Sequence, residues 1–100
     1  MSYVRLWRFQ AAAGKAREFE AAYGPDGDWA RLFRHAPGYL GTELLRDTSA
    51  GDSYLTLDRW RREADWHHFQ AAHAQAYAAL DRQLAPLCAG EQEIGSFAAP

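Results

Sequence analysis

Residues 64–84 read ADWHHFQAAHAQAYAALDRQL, in which Trp66, Phe69, His73, Tyr77, Leu80 and Leu84 recur at steps of three and four. That spacing puts all six on one side of a 3.6-residue helix, so it predicts a long amphipathic helix over Ala64–Leu84 with the stripe against a core. The helix should break at Pro86, because proline inside a helix costs about 3 kcal/mol. His73 is the one titratable group in the stripe. It is either a core imidazole with a satisfied hydrogen bond or the acid/base group of a small-molecule pocket.

Upstream of this helix, Tyr39–Asp47 and Ser53–Trp60 read as strands joined by Thr48-Ser49-Ala50-Gly51-Asp52, a connection suited to a β-hairpin. A short helix precedes the hairpin, with Trp29, Leu32, Phe33 and Ala36 on one side, Asp26 or Asp28 as its cap and Pro37-Gly38 as its stop. Further upstream, Lys15–Tyr23 predicts a helix stopped by Gly24-Pro25, and Tyr3–Gln10 a strand. Downstream, Glu91–Ala98 reads as a last strand. The major elements therefore run strand, helix, strand, strand, helix, strand, which predicts an α+β, ferredoxin-like βαββαβ domain spanning residues 1–100, with an antiparallel sheet.

Helices on one face of such a sheet leave the other in need of cover. The first strand sets Val4 and Leu6 against Trp7 and Phe9, and the third sets Leu55 and Leu57 against Tyr54 and Trp60, so both faces are apolar. A homodimer packed through the sheet face is the expected remedy.

Acids and bases are interspersed at a formal net charge of -2, which argues against a nucleic-acid or anionic-membrane partner and leaves small molecules or proteins. Cys88 is the single cysteine, so no internal disulfide can form, and a cytoplasmic location is expected. The opening Met1-Ser2-Tyr3-Val4-Arg5-Leu6-Trp7-Arg8 has arginines where a signal peptide would be apolar, and no segment reaches the roughly twenty apolar residues of a membrane span. No metal site is expected. No histidines stand four apart on the long helix, and no second cysteine or carboxylate cluster completes a ligand set.

Tyr3–Phe9 ahead of Gly14-Lys15, Ala36-Pro37-Gly38-Tyr39, Asp58-Arg59-Trp60 and Phe69-Gln70-Ala71-Ala72-His73 together resemble the antibiotic biosynthesis monooxygenase family over nearly the whole chain. The resemblance implies a dimeric α/β barrel of ferredoxin-like protomers. Two of the family's catalytic patterns are matched only in part. Heme-degrading members pair a first-strand asparagine with a tryptophan and a histidine; Trp66 and His73 correspond to the latter two, but Trp7 stands where the asparagine would be. Quinone-forming members place an asparagine one turn before the tryptophan, and here that position is Arg62.

The leading expectation is a cofactor-independent monooxygenase that oxidises an electron-rich aromatic, phenolic or polyketide-like, with molecular oxygen. His73 would be its base, Trp66 and Tyr77 its hydrogen-bond donors, and Trp7, Phe69 and Trp60 the walls of a pocket for a hydrophobic or aromatic ligand. The alternatives are a heme-binding or heme-degrading protein, with His73 as axial ligand, and a non-catalytic ligand-binding barrel.

Overall fold

The computed structural model describes residues 2–100, with β1 at Tyr3–Ala11, α1 at Ala16–Tyr23, α2 at Asp28–Phe33, β2 at Tyr39–Arg46 and β3 at Ser53–Trp60. Then come α3 at Glu63–Ala72, α4 at Ala74–Leu84, a 3-10 turn at Ala85–Leu87 and β4 at Cys88–Ala98. The four strands form one antiparallel sheet in the order β2-β3-β1-β4, which is the expected ferredoxin-like arrangement. Among the described residues no helix is long and apolar enough to cross a membrane.

Register decides which side chains the helices cover. Pairing of Tyr3 with Trp60, Arg5 with Asp58, Trp7 with Thr56 and Phe9 with Tyr54 places these eight on one face, because successive side chains alternate across a strand. Tyr3, Phe9, Tyr54 and Trp60 on that face are buried against Phe19, Phe33, Trp66 and Phe69 of the helices. The opposite face carries Val4, Leu6, Leu55 and Leu57, with Leu45 and Phe97 about half exposed at 48% and 51%.

Three elements depart from the sequence-based expectation. The long helix is divided at His73, whose φ of -124° and ψ of 27° close α3 and open α4. No proline or glycine lies at the break, and the bonds His73 N–H to Phe69 O and Tyr77 N–H to His73 O, both 2.9 Å, hold the two pieces in sequence. The stripe thus splits: Trp66 and Phe69 are buried in the core, whereas Tyr77 and Leu80 are only half-buried at its edge. Second, β4 starts at Cys88, because pairing of Phe9, Gln10 and Ala11 with Glu91, Gly90 and Cys88 gives its backbone a ladder that needs no apolar alternation. Third, the N-cap of α2 is Gly27, without a side-chain cap. A Cβ there would lie 2.3 Å from the Ala22 carbonyl oxygen, so the turn back onto α1 admits no side chain.

Gly38 shows the same constraint at the entry to β2. Its φ is +89°, and a Cβ would meet the buried Asp65 carboxyl at 2.3 Å. Asp65, flanked by Arg61 at 3.7 Å and Arg62 at 3.5 Å, thereby holds the first turn of α3 against β2. The Arg61 N–H donates to the Gly38 carbonyl at 2.7 Å across the same junction.

Candidate active site

A cavity of about 90 Å³ lies between the helix-covered sheet face and the helices. Its sheet wall is Arg5, Trp7 and Phe9 of β1, Thr42 of β2, and Thr56 and Asp58 of β3; Trp29, Phe33, Trp66 and Tyr77 come from the helices. A second space of about 250 Å³ adjoins it, and Tyr23, Asp81 and Glu91 line both. The site is thus a narrow aromatic chamber with a wider vestibule, joined at two carboxylates and a phenol.

Charge sits deep in the chamber. Asp58 Oδ1 accepts the Thr42 hydroxyl at 2.6 Å, and the Thr42 and Tyr39 hydroxyls are 2.5 Å apart. Burial pushes the Asp58 carboxyl up to about 6, against the opposing effects of the Thr42 hydrogen bond and the Arg5 charge. Arg5, cross-strand partner of Asp58, lies 4.2 Å over the Trp66 ring, 3.5 Å from Glu93 and 3.4 Å from Ser96 Oγ. Indole and strand side chains therefore aim the guanidinium. Burial also raises the Tyr77 phenol, with Arg5 pulling it down and Asp81, Asp58 and Glu91 pushing it up.

Trp29 is 9% exposed, and its indole N–H is buried with no hydrogen-bond partner. It favours ionisation of the nearby Tyr23 phenol without the alignment that would satisfy it. Burial is the larger influence on Tyr23, which also receives the Cys88 thiol at 3.3 Å, and the phenol stays neutral.

Of the residues expected to form the site, Trp66, Tyr77 and Trp7 line the chamber. Trp60 and Phe69 do not, being packed at 0% and 1% exposure into the core. His73 lines neither space; its ring stacks on Phe69 at 5.2 Å and lies 6.4 Å from that of His35. The cause is the helix break, which leaves this position at the junction of α3 and α4 instead of over the sheet. A base or an axial heme ligand at His73 would act outside the chamber. His67, 3.0 Å from Glu63, and His68 are exposed. Among the described residues no group of three or more His, Cys, Asp or Glu is placed to hold a metal ion.

Arg5 and Asp58 were not singled out from sequence as site residues, although the signal was there. Each is a charged residue at an alternate position of a strand whose neighbours on that face, Tyr3 and Trp7 or Thr56 and Trp60, are bulky or buried.

The family model of the antibiotic biosynthesis monooxygenases matches residues 2–80. Among solved structures, a mutant of SnoaB from Streptomyces nogalater, a cofactor-independent oxygenase, has a TM-score of 0.75 at 23% identity, over 98% of this chain and 92% of that one. A putative antibiotic biosynthesis monooxygenase from Bordetella bronchiseptica has a TM-score of 0.74 at 16% identity, over 99% and 97%. One from Nitrosomonas europaea has 0.72 at 12%, over 98% and 89%. At these identities the likeness extends to the fold. No curated protein matches the chain at a significant level.

Proposed function

Given that the chain belongs to the antibiotic biosynthesis monooxygenase family, we propose that its chamber oxidises a small phenol with molecular oxygen and no resident cofactor, with Asp58 as the general base. The observation that carries this reading is a buried carboxyl held near pKa 6 beside a fixed guanidinium in an aromatic chamber.

Ground-state oxygen is a triplet and reacts slowly with closed-shell molecules, so the substrate must itself become an electron donor. Deprotonation does this. A phenol has a pKa near 10, about four units above Asp58, so proton transfer succeeds only if the phenolate is stabilised. Arg5 supplies a fixed charge, and the Trp29 N–H and Tyr77 hydroxyl can donate from the aromatic wall. The phenolate gives an electron to oxygen, the two radicals couple at a ring carbon ortho to the hydroxyl, and loss of water leaves an ortho-quinone. One oxygen atom enters the ring; the other leaves as water with the two hydrogens from the O–H and C–H. All four electrons come from the phenol, so no external reductant is required.

Size selects within the aromatic class. A dry cavity of about 150 Å³ accommodates benzene, so a chamber of about 90 Å³ takes one ring with some outward movement of a wall and excludes a fused polycycle. Tyr77, half-buried just beyond the helix break, is the wall with room to yield. The uncovered sheet face, with Leu6, Leu55 and Leu57 at its centre, supports a homodimer packed face to face.

Oxygen uptake by metal-free protein, measured across a panel of single-ring phenols with ¹⁸O₂ labelling of the product, tests the proposal. Uptake with one ¹⁸O in a quinone, lost in Asp58→Asn, is expected. Absence of uptake across the panel, or full activity in Asp58→Asn, would overturn it.

A further inference from the structure

Among the thirteen Asp and Glu residues, Asp52, Asp58, Asp81 and Glu91 alone make neither an ion pair nor a histidine contact among the described residues. Three of these four line the same cavity. The one cation in its wall, Arg5, is already held by Glu93, Ser96 and the Trp66 ring. Elsewhere, Asp52 apart, this chain neutralises its acids; here it leaves a surplus of negative charge among aromatic faces.

We infer that the ligand is cationic: a single aromatic ring bearing a short alkylammonium arm, with the ring in the chamber and the ammonium between Asp81 and Glu91 at the neck. This rests on the phenol-oxidation reading and narrows its substrate class. A cation is attracted both to carboxylates and to the negative faces of aromatic rings, and Tyr23, Trp29 and Tyr77 supply such faces beside the two acids. Two independent features point to an occupant. The Trp29 N–H is buried in the wall without a partner and can donate to a ligand oxygen. Burial, and after it the neighbouring Asp81 charge, holds the Glu91 carboxyl above its ordinary value, and a cation between the two would favour its charged form.

Strand register sets the length of the ligand. Arg5 pairs with Asp58 of β3 and Phe9 with Glu91 of β4, four residues or about 13 Å apart along β1, and because β3 and β4 flank β1 two interstrand spacings of about 4.8 Å put the two backbone positions about 16 Å apart. With both carboxylate side chains reaching into the cavity, a hydroxyl hydrogen-bonded to Asp58 and an ammonium paired at the neck span the gap with one ring and a two-carbon arm. A carboxylate on that arm would meet Asp81 and Glu91 instead of a counter-ion.

Three para-substituted phenols of matched size test this: tyramine, 4-ethylphenol and 3-(4-hydroxyphenyl)propionate. Binding is read by calorimetry at pH 7.5, with quenching of Trp7, Trp29 and Trp66 fluorescence as a second signal. Tyramine should bind at least tenfold more tightly than 4-ethylphenol, and the propionate more weakly than both. In Asp81→Asn/Glu91→Gln the tyramine preference should fall below threefold, while 4-ethylphenol affinity and the circular dichroism spectrum hold. Equal binding of the three, preference for the anion, a cation preference that survives the double variant, or no tyramine binding at millimolar concentration would each overturn the inference. Tyramine selectivity without oxygen uptake would sink the oxygenase reading and leave the cation site standing. Uptake with 4-ethylphenol and no cation preference would do the reverse.

Discussion

Asp58 should destabilise the fold at neutral pH, and replacing it with asparagine should make the protein more stable. An aspartate with an ordinary pKa of 3.8 is held at about 6 here, because burial costs its charged form more than Thr42 and Arg5 return. Each pKa unit corresponds to 1.36 kcal/mol, so a shift of about two units places about 3 kcal/mol against the folded state once Asp58 is ionised. The sign follows from proton binding. Between pH 3.8 and 6 the folded chain holds a proton that the unfolded chain has released, so this contribution falls as pH rises through that window and stays at its minimum above it. Asparagine keeps an oxygen for the Thr42 hydroxyl and carries no charge. Asp58→Asn should therefore gain about 2 to 3 kcal/mol at pH 7.5, on the order of 10 °C in Tm or more for a chain of this length. Near pH 4 the gain should vanish. Calorimetric melts of both proteins at the two pH values isolate the effect, since every other titrating group is common to them. A variant less stable than wild type at pH 7.5, or a gain of equal size at both pH values, would refute the reasoning.

Gly38→Ala should lower stability by about 2 to 4 kcal/mol in denaturant titration, since it forces an unfavourable φ and drives a Cβ into Asp65; a loss under about 1 kcal/mol would mean that α3 shifts freely. Leu57→Lys places a charge at the centre of the uncovered sheet face, so sedimentation should show wild type as a dimer and this variant as a monomer of about 11 kDa. A monomeric wild type would remove the face-to-face pairing. His73→Ala should leave 4-ethylphenol binding and phenol oxidation within about threefold of wild type; a loss of about 10² or more would return the imidazole to the chemistry.

The fold was legible because its signals are local and redundant. Strand alternation in Tyr3–Phe9, the turn chemistry of Thr48–Asp52 and the stop at Gly24-Pro25 each specify a boundary that the structure keeps to within a residue or two. The site was legible only where a side chain's role follows from its helical stripe, as for Trp66 and Tyr77. His73 shares that stripe, and periodicity alone does not reveal a ψ of 27° that divides the helix there. Asp58 and Arg5 are a cross-strand pair, so their joint presence in the chamber depends on a register between segments about fifty residues apart. Read one strand at a time, each is a lone charge in an apolar pattern; read together, they are an ion-bearing site under Trp66.

The acids of this chain fall into two groups whose titrations should separate function from folding. At the periphery, hydrogen bonds from Tyr54 and Arg46 hold the Glu20 carboxyl below its ordinary value, and those from Ser49 and Arg8 do the same for Asp47. Such groups add stability that is present above the ordinary carboxylate range and is lost as pH falls through their depressed values. Asp58 runs the other way: protonation near pH 6 removes the base and relieves a buried charge at once. Acidification from pH 7.5 to 5 should therefore abolish phenol oxidation with a midpoint near 6, reversibly, while the near-ultraviolet circular dichroism of the packed tryptophans holds until the peripheral carboxylates protonate below about pH 4.5. Parallel pH series of oxygen uptake and circular dichroism would show two separate transitions. A single transition, with activity and tertiary signal lost together, would mean that the pH dependence belongs to the fold and that Asp58 is not its source.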